Sequence, residues 1–92
     1  MKTRGRRIAF DYGDARTGVA LCDPDGILAS PLCVLESTSK DFFQQIEQLL
    51  TEHEPIRIFV GMPVNMSGFS GSSAEKVESF VRQLREITSI PI

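Results

Sequence analysis

The sequence contains no long apolar run and no large excess of charge of one sign. No segment approaches the roughly 20 apolar residues that a membrane-spanning helix requires, and the N-terminus lacks the apolar stretch of a signal peptide. We therefore expect a cytoplasmic protein with no membrane partner. The formal net charge is −2, so the chain lacks the overall basic field that is typical of nucleic-acid-binding proteins.

Cysteine and histidine are also scarce. Cys22 and Cys33 do not form a C-x-x-C pair, and a tight turn over "DPDG" (23–26) would pair Cys22 with Ile27 rather than with Cys33. Small core residues are therefore predicted here, not a disulfide. The single histidine, His53, lies near a predicted helix end, where a surface or capping group is more common than a metal ligand.

Basic residues are concentrated near the N-terminus. Lys2, Arg4, Arg6 and Arg7 form a basic arm, and Arg16 follows it. A solubilising, frayed terminus is the simpler explanation of such an arm, and a specific binding arm is the alternative.

The first half of the chain carries the pattern of a β-meander. The chain has 92 residues, of which 41% are hydrophobic and 24% charged, and this indicates one globular domain over residues 1–92. Strands are predicted at 7–12, 16–22 and roughly 27–35, joined as antiparallel neighbours. Pro31 lies inside the third strand, so we expect an edge position or a β-bulge there.

The second half alternates helices with strands. Helical periodicity predicts a helix from about Asp41 to His53, stopped by Pro55, with N-cap candidates over 37–39. A short buried strand is predicted at 57–61. Ser72-x-x-Glu75 predicts a capping box at the start of a second amphipathic helix, and the final "SIPI" indicates the start of another strand.

The predicted order is β-β-β-α-β-α with a final strand cut short. Helical crossovers join parallel strands, so the simplest arrangement places the fourth strand beside the first. The sequence therefore predicts an α/β fold with a mixed sheet.

Asp11 is the main candidate for a functional residue in this fold. It follows the apolar run Ile8–Phe10, where burial of a charge is costly. The parallel strands would bring it to the carboxyl edge of the sheet, beside Gly61 and the N-terminus of the second helix, where α/β folds bind ligands. It could hold Mg²⁺ or Mn²⁺ against a phosphodiester. It could equally accept hydrogen bonds from its own turn or pair with Arg16.

Two stretches carry a resemblance to a known family. "DYGDARTGVALCDPDGILASPL" and "VGMPVNMSGFSGSSAEKVESFVRQL" resemble the YqgF family, also called the RuvX family of RuvC-like resolvases. The matching patterns are D-x-G-x-x-R-x-G-x-A, the downstream D-P-x-G and A-x-P, and the loop G-x-P-x-N-M-x-G-x-x-G. The resemblance spans nearly the whole chain.

The resemblance implies a ribonuclease H-like fold and a metal-dependent nuclease that uses Mg²⁺ or Mn²⁺. It implies a role in processing the 5′ end of precursor 16S rRNA and, by analogy, Holliday-junction resolution, so structured RNA or branched DNA is the expected partner. Asp11 matches the family's first-strand catalytic acid and metal ligand. Arg16 and Asn65 match motif positions that we expect to contact nucleic acid, and Gly71 matches the loop pattern without a catalytic role.

The sequence departs from the family pattern at its C-terminal end. Family members continue with a strand bearing an acidic D-E-R-x-T-type motif, a helix and another acid, whereas this sequence ends at Ile92. A two-metal site needs several carboxylates, so Asp11 alone cannot build one. Three explanations are expected: the chain is a fragment, the remaining metal ligands are supplied from elsewhere, or this form of the protein is inactive. An open sheet edge would also favour self-association, with a homodimer as the expected form.

Two rival functions follow from the same residues. The pattern D-x-G-x-x-x-x-G-x-A also resembles the phosphate-binding opening of actin-like and sugar-kinase ATPases, but those proteins need two large domains. The other rival is a nucleic-acid-binding or ribosome-binding module without chemistry.

Overall fold

The fold is a four-stranded mixed sheet with two helices. The computed structural model describes residues 5–25, 28–62 and 71–92. The elements, in chain order, are β1 (Arg7–Asp11), β2 (Arg16–Cys22), β3 (Ala29–Glu36), α1 (Phe42–His53), β4 (Arg57–Val60) and α2 (Gly71–Ile87). The predicted α/β class and the order β-β-β-α-β-α are confirmed, with strand boundaries shifted by one or two residues.

The sheet has the strand order β3-β2-β1-β4. β1 and β2 are antiparallel, as are β2 and β3, whereas β1 and β4 are parallel. The fourth strand therefore lies beside the first, as predicted, because the α1 crossover returns the chain in the direction of β1.

The third strand carries both features that Pro31 predicted. β3 lies at the edge of the sheet, and its register with β2 shifts between Val19 and Ala20, which oppose Cys33 and Pro31. One extra residue on β3 therefore forms a β-bulge. A proline fits there because it has no N–H to contribute to the ladder.

Both helices pack on one face of the sheet. Strand residues at alternate positions point into this face, and helix residues at i, i+4 spacing meet them. None of the core residues is more than 7% exposed: Ile8, Phe10, Val19, Phe42, Ile46, Leu50, Ile58, Phe80 and Leu84. The opposite face carries small residues on β1 and β2 and two exposed apolar side chains, Val34 (64% exposed) and Phe59 (50%).

The predicted N-terminal caps of both helices are wrong. Asp41, not a residue of 37–39, occupies the N-cap position of α1, with no hydrogen bond from its side chain to the helix backbone. Ser39 donates a hydroxyl hydrogen bond to the Asp41 carboxylate, which is the main cause of a lowered pKa of that carboxyl. α2 already begins at Gly71, so Ser72 lies in its first turn rather than before it.

The end of α1 follows the expected pattern. The helix ends at His53, and Glu54 adopts a left-handed conformation with φ 47° and donates its N–H to the Leu50 carbonyl. Pro55 comes next and cannot continue the helix. His53 lies 3.1 Å from a Glu52 carboxylate oxygen and 3.5 Å from an Arg6 guanidinium nitrogen. Its side chain is only 15% exposed, so it is a partly buried polar group at the helix end rather than the surface group that was expected.

The C-terminal residues lie against the sheet. Residues 88–92 form no strand, but the N–H of Ile58 donates to the carbonyl of Pro91 over 2.8 Å. The chain end thus lies beside β4, in the position where a further strand was predicted to start.

Cys22 and Cys33 are both free and half-buried, and burial raises the pKa of the Cys33 thiol. Cys22 opposes Ala29, and the predicted pairing with Ile27 lies outside the described residues. Among the residues that the structure describes, no helix is long and apolar enough to cross a membrane.

Candidate functional site

Asp11 is the last residue of β1 and its side chain is exposed. Gly18 lies directly opposite on β2, and a Cβ atom at Gly18 would stand 3.8 Å from the Asp11 Cβ. The absence of a side chain at Gly18 leaves room beside the carboxylate. The Asp11 carboxylate therefore lies at the solvent-facing end of a strand. Because it stays hydrated, it does not incur the free-energy cost of burying a charge.

The two structural explanations for Asp11 are not observed. Within residues 5–25, 28–62 and 71–92, the carboxylate accepts no hydrogen bond and forms no ion pair. Arg16 begins β2 opposite Glu36 and is exposed. It is not among the residues that line the cavity around Asp11. The Asp11 carboxylate is thus available for a ligand.

A cavity of about 260 Å³ lies at the carboxyl edge of the parallel pair β1 and β4. It is lined by the end of β1, the residues after β4 and the first turns of α2, as the parallel topology predicts. The lining residues are Asp11, Tyr12, Gly13, Asp14, Gly61, Met62, Lys76 and Val77.

A buried hydroxyl network holds the turn that carries this cavity. Ser37 donates its hydroxyl to the Gly13 carbonyl over 2.6 Å, and Thr17, which is 0% exposed, lies 2.8 Å from the Ser37 oxygen. Because the single Ser37 hydroxyl hydrogen is committed to Gly13, Thr17 donates to Ser37. Gly13 must be glycine, since a Cβ there would lie 2.5 Å from the Arg16 carbonyl oxygen.

Lys76 is a site residue that sequence reasoning missed. Its ammonium nitrogen lies 2.8 Å from an Asp14 carboxylate oxygen. The hydrogen bond and the negative charge of Asp14 raise the pKa of Lys76. The two residues are 62 positions apart, so no local pattern joins them. The sequence does contain one clue to Lys76. It directly precedes Val77, near the start of the helix whose N-terminal end was predicted to lie beside Asp11.

The described residues fit one metal ion better than two. Asp11 and Asp14 both line the cavity, but Asp14 is engaged by Lys76. Across the described part of the chain, no three of the residues His, Cys, Asp and Glu cluster as metal ligands. A single Mg²⁺ or Mn²⁺ needs only one or two carboxylates when water and a substrate phosphate complete its shell. Asp11 fits that role, whereas a two-metal centre does not fit these residues.

Most of the loop pattern that follows β4 lies outside the described residues. Asn65, which was expected to contact nucleic acid, belongs to residues 63–70, outside the described residues. Gly71, also part of that pattern, is the first residue of α2.

Comparison with known proteins agrees with the family resemblance of the two sequence stretches. A sequence profile of the RuvX family, described as Holliday junction resolvase, matches residues 5–92. Three similar proteins are each named "Putative pre-16S rRNA nuclease". Those from Streptomyces avermitilis and Streptomyces coelicolor are 44% identical over 91 residues, covering 97% of this chain and 58% and 54% of the relatives. One from Thermoanaerobacter pseudethanolicus is 41% identical over 88 residues, covering 95% of this chain and 63% of the relative. The chain therefore spans less than two thirds of the length of these relatives.

Proposed function

Since this chain belongs to the RuvX family of Holliday junction resolvases, we propose that it acts as a metal-dependent nuclease on structured RNA. We propose further that its substrate is the 5′ end of precursor 16S rRNA, because the three relatives carry that RNA in their names. The observation that carries the proposal is the Asp11 carboxylate, which has no partner among the described residues and lies in a cavity at the carboxyl edge of β1 and β4.

The residues of the cavity have distinct roles in this proposal. Asp11 would hold one Mg²⁺ or Mn²⁺, which when bound polarises the phosphodiester and activates water. Gly18 leaves the space that a hydrated ion and a phosphate need. Lys76 supplies positive charge from the α2 side of the cavity, and the exposed Arg16 would contact a neighbouring backbone phosphate. The Thr17–Ser37–Gly13 hydrogen bonds keep the end of β1 in place while the substrate binds.

The test is cleavage of two substrates by the protein and its Asp11→Asn variant. A 5′-extended 16S rRNA precursor and a four-way DNA junction are incubated with Mn²⁺ or with EDTA. We expect Mn²⁺-dependent cleavage of the RNA that falls by about 10³-fold or more in the variant, because a metal ligand contributes several kcal/mol to the transition state. The unfolding free energy should change by less than about 0.5 kcal/mol, as for other surface substitutions.

The matched control is Asp25→Asn, in the turn after β2 at the opposite end of the sheet. It makes the same chemical change away from the cavity and should leave cleavage unchanged. Cleavage that survives in Asp11→Asn would remove Asp11 from the mechanism.

The same assay addresses the other candidate functions. Cleavage of the junction but not of the RNA would favour a Holliday-junction endonuclease, the activity by which the family is described. Binding of RNA without cleavage would favour a nucleic-acid-binding module. That module is consistent with the lack of a three-ligand cluster among the described residues.

A further inference from the structure

A second cavity, of about 250 Å³, adjoins the one that contains Asp11. It lies between the first turn of α1 and the middle of α2, on the helical side of the sheet. Tyr12 and Lys76 line both cavities. The two spaces therefore form one cleft, with Asp11 at one end and an aromatic cluster at the other.

Four aromatic rings form the wall of the second cavity. Tyr12 stacks on Phe80 with ring centroids 4.7 Å apart and an interplanar angle of 23°. Phe43 lies 5.9 Å from Phe80 and 5.0 Å from Phe42. Phe80 and Phe42 are buried, at 2% and 4% exposure, and their rings pack against those of Tyr12 and Phe43. Tyr12 and Phe43 are only half-buried, so part of each ring faces the cavity.

The rim of the cavity carries polar groups that suit the edge of a base. Gln83 donates its side-chain amide to the Ser79 hydroxyl over 3.4 Å, which is long for a hydrogen bond. The Gln83 side chain is exposed, and its carbonyl oxygen and second amide hydrogen remain to pair with a ligand. Aromatic walls with an amide at the rim are the combination that proteins use for unstacked nucleobases.

Lys76 stands where the aromatic cavity meets the Asp11 cavity. Its ion pair with Asp14 is solvent-exposed, with side-chain exposures of 52% and 68%, so the pair contributes little stability and can be exchanged. A phosphate oxygen can therefore replace Asp14 as the partner of Lys76. Asp14 keeps the ammonium group in the cleft until that exchange occurs.

We propose that the aromatic cavity between α1 and α2 binds one unstacked nucleobase of a single-stranded RNA segment, with Lys76 contacting the adjacent phosphate. The proposal rests on the proposed function for the class of ligand, but not on cleavage. A base seated on Tyr12 and Phe43 directs the following phosphodiester past Lys76 toward Asp11. The site thus selects a substrate whose strand is unpaired beside the cleaved bond.

The chain provides its own reporter for this site. Tyr12 is the only tyrosine and the chain has no tryptophan, so the intrinsic fluorescence comes from the cleft itself. The protein is titrated in EDTA with a ten-nucleotide uridine RNA and with a decamer of the same backbone without bases. Free N-acetyltyrosinamide corrects for light absorbed by the bases. We expect the uridine RNA to quench Tyr12 and the base-free decamer to leave the signal unchanged.

Substitution of one ring tests the aromatic wall. Phe43→Ala should weaken binding of the uridine RNA by about 5- to 150-fold, the range observed for losing one stacked base. Phe43→Leu preserves the apolar bulk that packs against the core, and should show a loss in the same direction. The matched control is Phe59→Leu, which removes an exposed ring from the opposite face of the sheet and should leave binding unchanged.

Substitution of Lys76 tests the phosphate contact. Lys76→Gln should lower the slope of log affinity against log salt by about 0.7, the contribution of one phosphate in a single strand. Arg85→Gln, at the far end of α2, removes a positive charge away from the cleft and should change the slope less.

The outcomes separate this proposal from the proposed function. Equal quenching by the uridine and base-free decamers, no binding of either, or unchanged affinity in Phe43→Leu would each overturn the base site. Quenching by the uridine RNA alone supports it, even if the cleavage assay fails. Cleavage without base-dependent quenching would leave the nuclease standing and remove the base site.

Discussion

The two faces of the sheet differ in what their side chains do. Beneath the helices, Ile8, Phe10 and Ile58 are at most 1% exposed. On the other face, β1 contributes Ala9 and Asp11, and β4 contributes the half-exposed Phe59. Alternation along a single strand produces both faces, because successive residues point to opposite sides.

This difference explains why a carboxylate can follow an apolar strand. Asp11 belongs to the open face and to the last position of β1, so it stays hydrated while its neighbour Phe10 is buried. The packed face supplies the stability, and the end of the open face supplies the chemistry. A substitution on one face should therefore leave the function of the other largely intact.

The largest stability effect should come from a large core residue. Phe10→Ala removes a ring that contacts Phe80 at a centroid distance of 5.9 Å and should lower the unfolding free energy by about 3–5 kcal/mol. Phe59→Ala makes the same change on the open face and should cost less than about 1.5 kcal/mol, because half of that ring is already hydrated. Urea unfolding measures both. Equal losses would mean that the open face is also part of the core.

The next largest effect should come from the hydroxyl network under the site. Thr17→Val keeps the buried shape but removes the hydrogen bond to Ser37, which should cost about 1–3 kcal/mol. Thr38→Val, on an exposed neighbour of Ser37, is the control and should have little effect. Thermal unfolding is the measurement, and a neutral Thr17→Val would show that Ser37 is held by Gly13 alone.

Substitution of Gly18 should have the smallest effect on stability but a clear effect on function. Gly18→Val adds an isopropyl group beside Asp11 and replaces glycine within a strand, so stability should stay equal or rise by up to about 1 kcal/mol. We expect the Mn²⁺ concentration for half-maximal cleavage to rise by about tenfold, equivalent to about 1.4 kcal/mol, because the added carbons crowd the space beside the Asp11 carboxylate. Ala20→Val, on the same face but opposite Ala9, is the control. An unchanged Mn²⁺ requirement would contradict the need for space at Gly18.

Sequence reasoning worked best where the pattern was short-ranged. The element order, the neighbours of β1 and the place of Asp11 at the carboxyl edge of the sheet were all predicted, since strand and helix periodicities are local. The α1 cap was wrong because Ser37, one of its candidates, uses its hydroxyl for Gly13, 24 residues away. No local pattern reports that such a group is already engaged.

The residues of the cleft could not be grouped together from local sequence patterns. Alternation and helical spacing along the chain are sufficient to specify the α/β order, the packed face and the position of Asp11 at a strand end, because each depends on a few neighbouring residues. The pairing of Lys76 with Asp14 across 62 residues depends on how the helices pack on the sheet. So does the clustering of Tyr12, directly after β1, with Phe43 of α1 and Phe80 of α2. That docking is fixed by the shapes of many core side chains at once, so it exists only in the folded molecule.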